Sequence, residues 1–242
     1  QLEGEIAGKI DAKWWRVLIN KFIGGFLTNF CGLALGREGP SIQLGAMSAK
    51  GIGKILKRGK TEERYLLTCG ASAGLAAAFH APLAGVIFAL EEVHKHFSAP
   101  LLISVMTSSI AADYVMSSIL GMDPVFSFKL VGALPSKYYW MIIILGIILG
   151  LAGAFYNKAL LYVQSIYNKN DQLKTFHKLL IPFILAGILG FLAPQLLGSG
   201  DTLVDLLIEG KLTALMIVAL LVGKFAFAII CFGSGAPGGI FF

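Results

Sequence analysis

Glu38 is an acid in a setting where an acid could do chemistry. It lies beside Arg37 in the stretch LALGREGPSIQLG, residues 33–45, between two apolar runs. The glycines and Pro40 predict a break between two helices, with Pro40 as the first helical residue, because proline lacks the N–H that a helix start leaves unused. A helix start offers free backbone N–H groups and partial positive charge, which together attract anions. An ionised carboxylate there can compete with a free anion, and protonation ends the competition.

The composition places this acid in a membrane protein. The 242 residues are 56% hydrophobic and 14% charged, with a mean hydropathy of +0.76. Apolar runs at residues 141–155, 179–197 and 214–232 approach the ~20 residues that cross a bilayer as a helix. Shorter runs broken by Gly and Pro indicate irregular backbone that is buried in protein or lines a cavity. We therefore expect an all-α polytopic membrane protein.

In this setting Glu38 has two interpretations. Acids inside a membrane are by default candidates for function, and this one could couple a proton to an anion by exclusion. Alternatively, Arg37 neutralises it in a static ion pair. Adjacent residues across a helix break seldom point the same way, which favours the first interpretation.

The formal net charge is +6, and six of the 20 Lys and Arg residues crowd one predicted loop. A basic cluster can bind nucleic acid, but this one joins hydrophobic segments, so the positive-inside rule explains it and predicts a cytoplasmic loop. The stretch GKILKRGKT is not a phosphate-binding loop, because five residues rather than four separate its glycines. We expect no nucleic-acid partner. The basic residues are Lys50, Lys54, Lys57, Arg58, Lys60 and Arg64.

The apolar tract at residues 65–92 permits two folds. His80, Ala81 and Pro82 interrupt it near the middle, where they mark a kink or a turn. A turn would make a helical hairpin and bring Glu91 and Glu92 back to the side of the basic loop. A kink would send both acids to the opposite surface.

Further helices are predicted at about residues 14–35, 138–167 and 213–232. The last one ends in GSGAPGGIFF, a second glycine-rich break built like GREGP. Both breaks could aim a helix start at an anion, as the discontinuous helices of transporters do, or could serve packing alone.

The stretches GREGPSIQLGA, GASAGLAAAFHAPLAGVIFALEE and GSGAPGGIFF resemble the consecutive signatures of the CLC chloride channels and proton-coupled chloride transporters. The resemblance covers essentially the whole chain, and motifs of this length are highly specific. It implies short, tilted and broken helices whose N-termini converge on an anion site, and it favours the hairpin. It also implies a homodimer with one pathway per subunit.

The same resemblance implies that residues 1–242 are part of a larger CLC membrane domain, with a first filter segment, GSGIP, upstream and more helices downstream. The family's chloride-binding serine and tyrosine would lie in those parts.

The resemblance also assigns roles to individual residues. Glu38 would be the external gating acid, and Glu92 the internal proton-transfer acid of the exchangers. Backbone amides would coordinate the anion, and a charged cluster would support the proton route. The amides are those of Arg37, Glu38, Gly39, Ile240 and Phe241, and the charged cluster consists of Glu3, Lys21 and Arg37.

Three classes of function follow from these features. A proton-coupled chloride antiporter of a bacterial inner membrane is expected, with chloride and protons as transported ions and without a cofactor. A passive, voltage- or pH-gated chloride channel on the same fold is the alternative, which the acid at position 92 disfavours. A membrane enzyme or purely structural protein comes last, because no nucleophile elbow or zinc-ligand run occurs, and the spacing of Cys31, Cys69 and Cys231 suits no metal site.

Overall fold

A computed structural model describes residues 2–121, 135–169, 175–208, 210 and 212–239. The described residues form α-helices without a strand, as the sequence predicts, and divide into two compact units. The helices are α1 Leu2–Ile6, α2 Trp14–Phe30, α3 Glu38–Ile55, α4 Lys60–Phe79, α5 Pro82–Phe88, α6 Ala99–Leu120, α7 Tyr139–Lys169, α8 Thr175–Leu192, α9 Asp201–Ile208 and α10 Ala214–Gly233.

The first unit takes its described residues from 1–28, 36–125 and 237–241. Helices α3 and α4 pack backbone to backbone at its centre, because glycines face each other where side chains would collide. A Cβ on Gly45 would strike the carbonyl of Gly70, and a Cβ on Gly74 would strike that of Ser41. Such small-residue contacts are typical of membrane helices. This close packing fixes the start of α3.

The tract at residues 65–92 is a hairpin, so the kink interpretation is wrong. His80 ends α4 with a left-handed φ of +52°, and α5 then begins at Pro82. The returning chain reaches His94, whose Nδ1 lies 3.1 Å from the Thr68 hydroxyl and whose ring centroid lies 5.5 Å from that of Tyr65, both in the first half of α4. Glu91 and Glu92 therefore lie at the same end of the hairpin as the basic segment, as the hairpin interpretation predicts.

The basic segment is less of a loop than its charges suggest. Lys50 and Lys54 belong to α3, and Lys60 and Arg64 belong to α4. Lys50 is buried, with 1% of its side chain exposed, and its ammonium donates to Glu5 Oε2 at 2.5 Å, Asp11 Oδ1 at 2.8 Å and the Ala12 carbonyl at 2.9 Å. The prediction that Lys50 lies in a loop was therefore wrong. Its charge joins α1 and the following loop to α3.

The second unit takes its described residues from 29–35, 126–236 and 242. Its core joins residues 33–35 to α8 and α10 through Leu33, Leu35, Ala186 and Phe227. Helix α2 was expected to continue to about Leu35, but it ends at Phe30, and Gly32 turns the chain with a φ of +71°. Hydrophobicity alone predicted a helix where buried irregular chain occurs.

Among the described residues, three helical segments are long and apolar enough to cross a bilayer: Ala99–Leu120, Ser136–Lys169 and Ala214–Gly233. The two long helices predicted at about residues 138–167 and 213–232 are therefore present as α7 and α10. A further apolar helix, Phe176–Leu192, is shorter. The long apolar segments fit a polytopic membrane protein.

Candidate functional site

The Glu38 side chain is fully buried, at 0% exposure, in the first turn of α3. The helix begins two residues earlier than the predicted Pro40, because the Ser41 N–H already donates to the Arg37 carbonyl at 3.1 Å. The backbone N–H groups of the residues before Ser41 therefore donate to no carbonyl of the helix. The amides of Arg37, Glu38 and Gly39 stand at the positive end of the helix dipole, and Pro40 has no N–H to offer.

Glycines surround the Glu38 carboxylate. A Cβ on Gly36 or on Gly239 would collide with its oxygens, and a Cβ on Gly39 would come within 3.0 Å of the Gly238 carbonyl. Glycine is therefore a steric requirement at these positions. Close backbone approach of this kind brings peptide groups against the acid.

The two glycine-rich breaks meet around this acid. Gly36 N donates to Gly239 O at 3.0 Å, and Gly239 N donates to Gly36 O at 2.7 Å, which forms an isolated antiparallel bridge. The buried Thr28 hydroxyl also lies 3.1 Å from the Pro237 carbonyl. The sequence indicated that GREGP and GSGAPGG share one design. The structure shows in addition that Gly36 of the first stretch and Gly239 of the second lie side by side. The next two residues, Ile240 and Phe241, whose amides were expected to bind the anion, lie outside the described residues.

Glu92 lies in an unusual turn. Residues Ala89–His94 form a π-helix, in which the Lys95 N–H donates to the Leu90 carbonyl at 3.0 Å. Glu91 and Glu92 are both exposed in it. π-Helical turns inside or beside α-helices occur often at functional sites. The apolar pattern at residues 82–94 was typical of an ordinary helix, so the sequence reasoning missed this feature.

The surroundings of the expected supporting charges differ from one residue to the next. Glu3 pairs with Lys95 at 3.4 Å, and both side chains are more than half exposed. Lys21 lies partly buried in α2, and Arg37 forms the N-cap of α3. Among the described residues, no ion pair joins Glu3, Lys21 and Arg37 to one another.

Sequence reasoning missed a partly buried cation in the second unit as well. The Lys224 ammonium donates to the carbonyls of Leu196 at 3.0 Å, Leu197 at 3.3 Å and Gly198 at 2.5 Å. These carbonyls follow α8, where the chain leaves its helix. The sequence does contain an indication of this feature, because Lys224 is a lone lysine inside the apolar run of α10.

The chain is similar to known proteins over its whole length. The voltage gated chloride channel family model matches residues 1–242. The H(+)/Cl(-) exchange transporter ClcA of Vibrio parahaemolyticus is 36% identical, with 100% of this chain and 53% of the relative covered. The protein of that name from Salmonella agona is 34% identical, over 100% of this chain and 52% of the relative. The chain therefore spans about half the length of these curated relatives.

Solved structures give the same result. A slow cyanobacterial Cl−/H+ antiporter superposes with a TM-score of 0.93 at 34% identity, over 100% of this chain and 57% of that structure. A CLC-type fluoride/proton antiporter gives a TM-score of 0.82 at 22% identity, over 98% of this chain and 60% of that structure, and at this identity it shows the fold alone.

Proposed function

The chain belongs to the CLC family, and on that premise we propose that the full-length protein exchanges chloride for protons across a membrane. Glu38 is the external gate, and Glu92 is the internal proton-transfer acid. The buried carboxylate of Glu38 at the start of α3, enclosed by Gly36 and Gly239, is the observation that carries the proposal. Chloride is proposed as the anion because the exchange transporters that resemble this chain are named for it.

The mechanism rests on exclusion at the start of α3. The ionised Glu38 carboxylate occupies the position that an anion would take near the amides of Arg37, Glu38 and Gly39. When Glu38 binds a proton it loses its charge, and chloride replaces it. Proton uptake and anion entry are then two halves of one exchange. The amides of Ile240 and Phe241 are proposed to complete the anion's coordination.

Glu92 supplies the other end of the proton route. The hairpin brings it to the end of the first unit that carries the basic segment, which the positive-inside rule assigns to the cytoplasm. Its exposed position in the π-helical turn supports proton exchange with water. Glu3, Lys21 and Arg37 are proposed to balance the charge of the acids along the route.

The assembly and location are part of the proposal. Apolar side chains of α5 and α6, such as Leu83 at 68% and Ile110 at 54% exposure, are available to lipid or to a second subunit. We propose a homodimer with one pathway in each subunit. The Vibrio and Salmonella relatives favour a bacterial inner membrane.

The test uses the full-length protein in liposomes with an outward chloride gradient. Wild type should take up protons as chloride leaves. Glu38→Gln should keep chloride flux and lose proton movement, because an amide cannot ionise to compete with the anion. A wild-type reversal potential that follows chloride alone at every pH gradient would show that the protein is a passive channel and not an antiporter. Proton coupling that survives in Glu38→Gln would show that Glu38 is not the gate.

A further inference from the structure

A cavity of about 700 Å³ lies in the first unit, apart from the residues of the proposed transport mechanism except Glu3. Three parts of the chain form it: α1 with the loop that follows, the first turns of α4, and the connection that leads from the π-helical turn to α6. Neither Glu38 nor Glu92 lines it. The charged and titratable lining residues are Glu3, Lys9, Arg64, His94, Lys95 and His96.

The lining is strongly cationic. Lys9, Arg64 and Lys95 are basic side chains, and Glu3 is the carboxylate among the lining residues. Its pair with Lys95 is exposed, with 68% of the Glu3 and 57% of the Lys95 side chain accessible. Exposed ion pairs of this kind contribute little to stability, so an incoming anion can displace the Glu3 carboxylate from the Lys95 ammonium.

Arg64 is held where it can meet a ligand. Its Nη2 lies over Gly8, where a Cβ would approach to 2.7 Å, and Gly8 has a left-handed φ of +72°. Glycine thus leaves room for the guanidinium in the wall of the cavity. A guanidinium fork matches the oxygens of a phosphate group in a bidentate manner.

His94 has a defined orientation in the same wall. The buried Thr68 hydroxyl donates to the Arg64 carbonyl at 2.9 Å, so its oxygen accepts from Nδ1–H of His94 at 3.1 Å. Nε2 of the neutral ring is then the remaining acceptor. Burial lowers the pKa of His94, and nearby His96 and Arg64 lower it further, so the ring is neutral at pH 7. The positive charge of the cavity therefore comes from its lysines and arginine.

The size of the cavity selects among anions. A volume of about 700 Å³ is typical of small-molecule sites and far exceeds what a chloride ion fills. We propose that this basic cavity binds a small phosphate-bearing anion, supplied either by a soluble metabolite or by a lipid headgroup. Arg64 and Lys95 bind the phosphate oxygens. This inference does not depend on the transport mechanism.

The test measures binding of pyrophosphate to the full-length protein in detergent by calorimetry, in a buffer without other polyvalent anions. Arg64→Gln and Lys95→Gln should each weaken binding about tenfold, the loss expected for one charge-assisted hydrogen bond. Lys57→Gln is the matched control, since it removes the same charge from the neighbouring exposed segment and Lys57 does not line the cavity. It should bind pyrophosphate like wild type.

A second arm distinguishes the two sources of phosphate. Retention of phosphatidate by the protein is measured by native mass spectrometry for wild type and the same variants. Pyrophosphate binding that depends on Arg64 assigns a soluble ligand, and phosphatidate retention alone with that dependence assigns a lipid headgroup. Absence of both, or equal weakening in Lys57→Gln, overturns the proposal.

Discussion

Two acids of the first unit, Glu5 and Glu38, are buried to a similar degree, at 6% and 0% exposure, but in different surroundings. Glu5 meets the Lys50 ammonium at 2.5 Å and the Ala12 amide at 2.5 Å. Glu38 lies at a helix start, where glycines bring backbone groups close to its carboxylate. A fixed countercharge holds an acid in one place, whereas helix amides favour any anion that reaches them.

The different surroundings imply a structural role for Glu5 and a role in transport for Glu38. The ion pair of Glu5 and Lys50 connects α1 to α3, and its loss should cost folding free energy. Glu38 is proposed to leave its position whenever it binds a proton, so its charge should matter for coupling rather than for stability. Three variants test this comparison on one scale, the free energy of unfolding.

Glu5→Gln should have the largest effect. It keeps the size of the side chain but leaves the Lys50 ammonium buried beside a neutral amide, and breaking a buried pair in this way costs about 3–5 kcal/mol. Unfolding in mixed detergent micelles measures the loss. Asp11→Asn is the matched control, because Asp11 also bonds Lys50 but is 79% exposed, so its loss should be far smaller. Equal losses in the two variants would contradict the structural role of Glu5.

The Asp11 contribution has a defined pH dependence. The hydrogen bond from Lys50 lowers the pKa of Asp11 below its usual 3.8. A lowered carboxyl pKa means that the contribution is fully present above pH 3.8 and is lost as the pH falls through the lowered value. Stability of wild type and Asp11→Asn should therefore converge only in strong acid.

Gly36→Ala should have an intermediate effect. The added Cβ would collide with the Glu38 carboxylate, and overpacking typically costs about 1–3 kcal/mol. The same change in a Glu38→Ala background should cost much less, because the colliding atoms are gone. Gly146→Ala in α7, where a Cβ meets nothing within 4 Å, is the control and should not destabilise. An equal cost of Gly36→Ala in both backgrounds would mean that the carboxylate lies elsewhere.

The sequence predicted the two glycine-rich breaks better than the helix boundaries beside them. GREGP and GSGAPGG each indicated a break after an apolar helix, because glycine and proline act through local backbone geometry. The end of α2, the start of α3 and the π-helical turn were missed, since apolar side chains at residues 31–35 and 82–94 suit several backbone forms. The partners of Lys50 were missed because Glu5 and Lys50 are far apart in sequence, and no spacing rule connects them.

Glu92→Gln should have the smallest effect on stability. Glu92 is exposed, and a near-isosteric amide preserves its packing, so unfolding should be almost unchanged. Proton movement driven by a chloride gradient should nevertheless stop, because an amide cannot exchange a proton near neutral pH. Glu91→Gln is the control in the same turn and should retain most of the coupling. Loss of coupling in Glu91→Gln but not in Glu92→Gln would show that Glu91, and not Glu92, is the proton-transfer acid.

Competition between the Glu38 carboxylate and chloride is the central claim, and chloride affinity as a function of pH tests it most directly. Calorimetry on the full-length protein should show wild-type affinity falling as the pH rises and Glu38 ionises. Glu38→Gln should bind chloride more tightly at neutral pH and lose this dependence on pH. An identical pH dependence in wild type and Glu38→Gln would contradict the claim, because another group would then control access to the anion site.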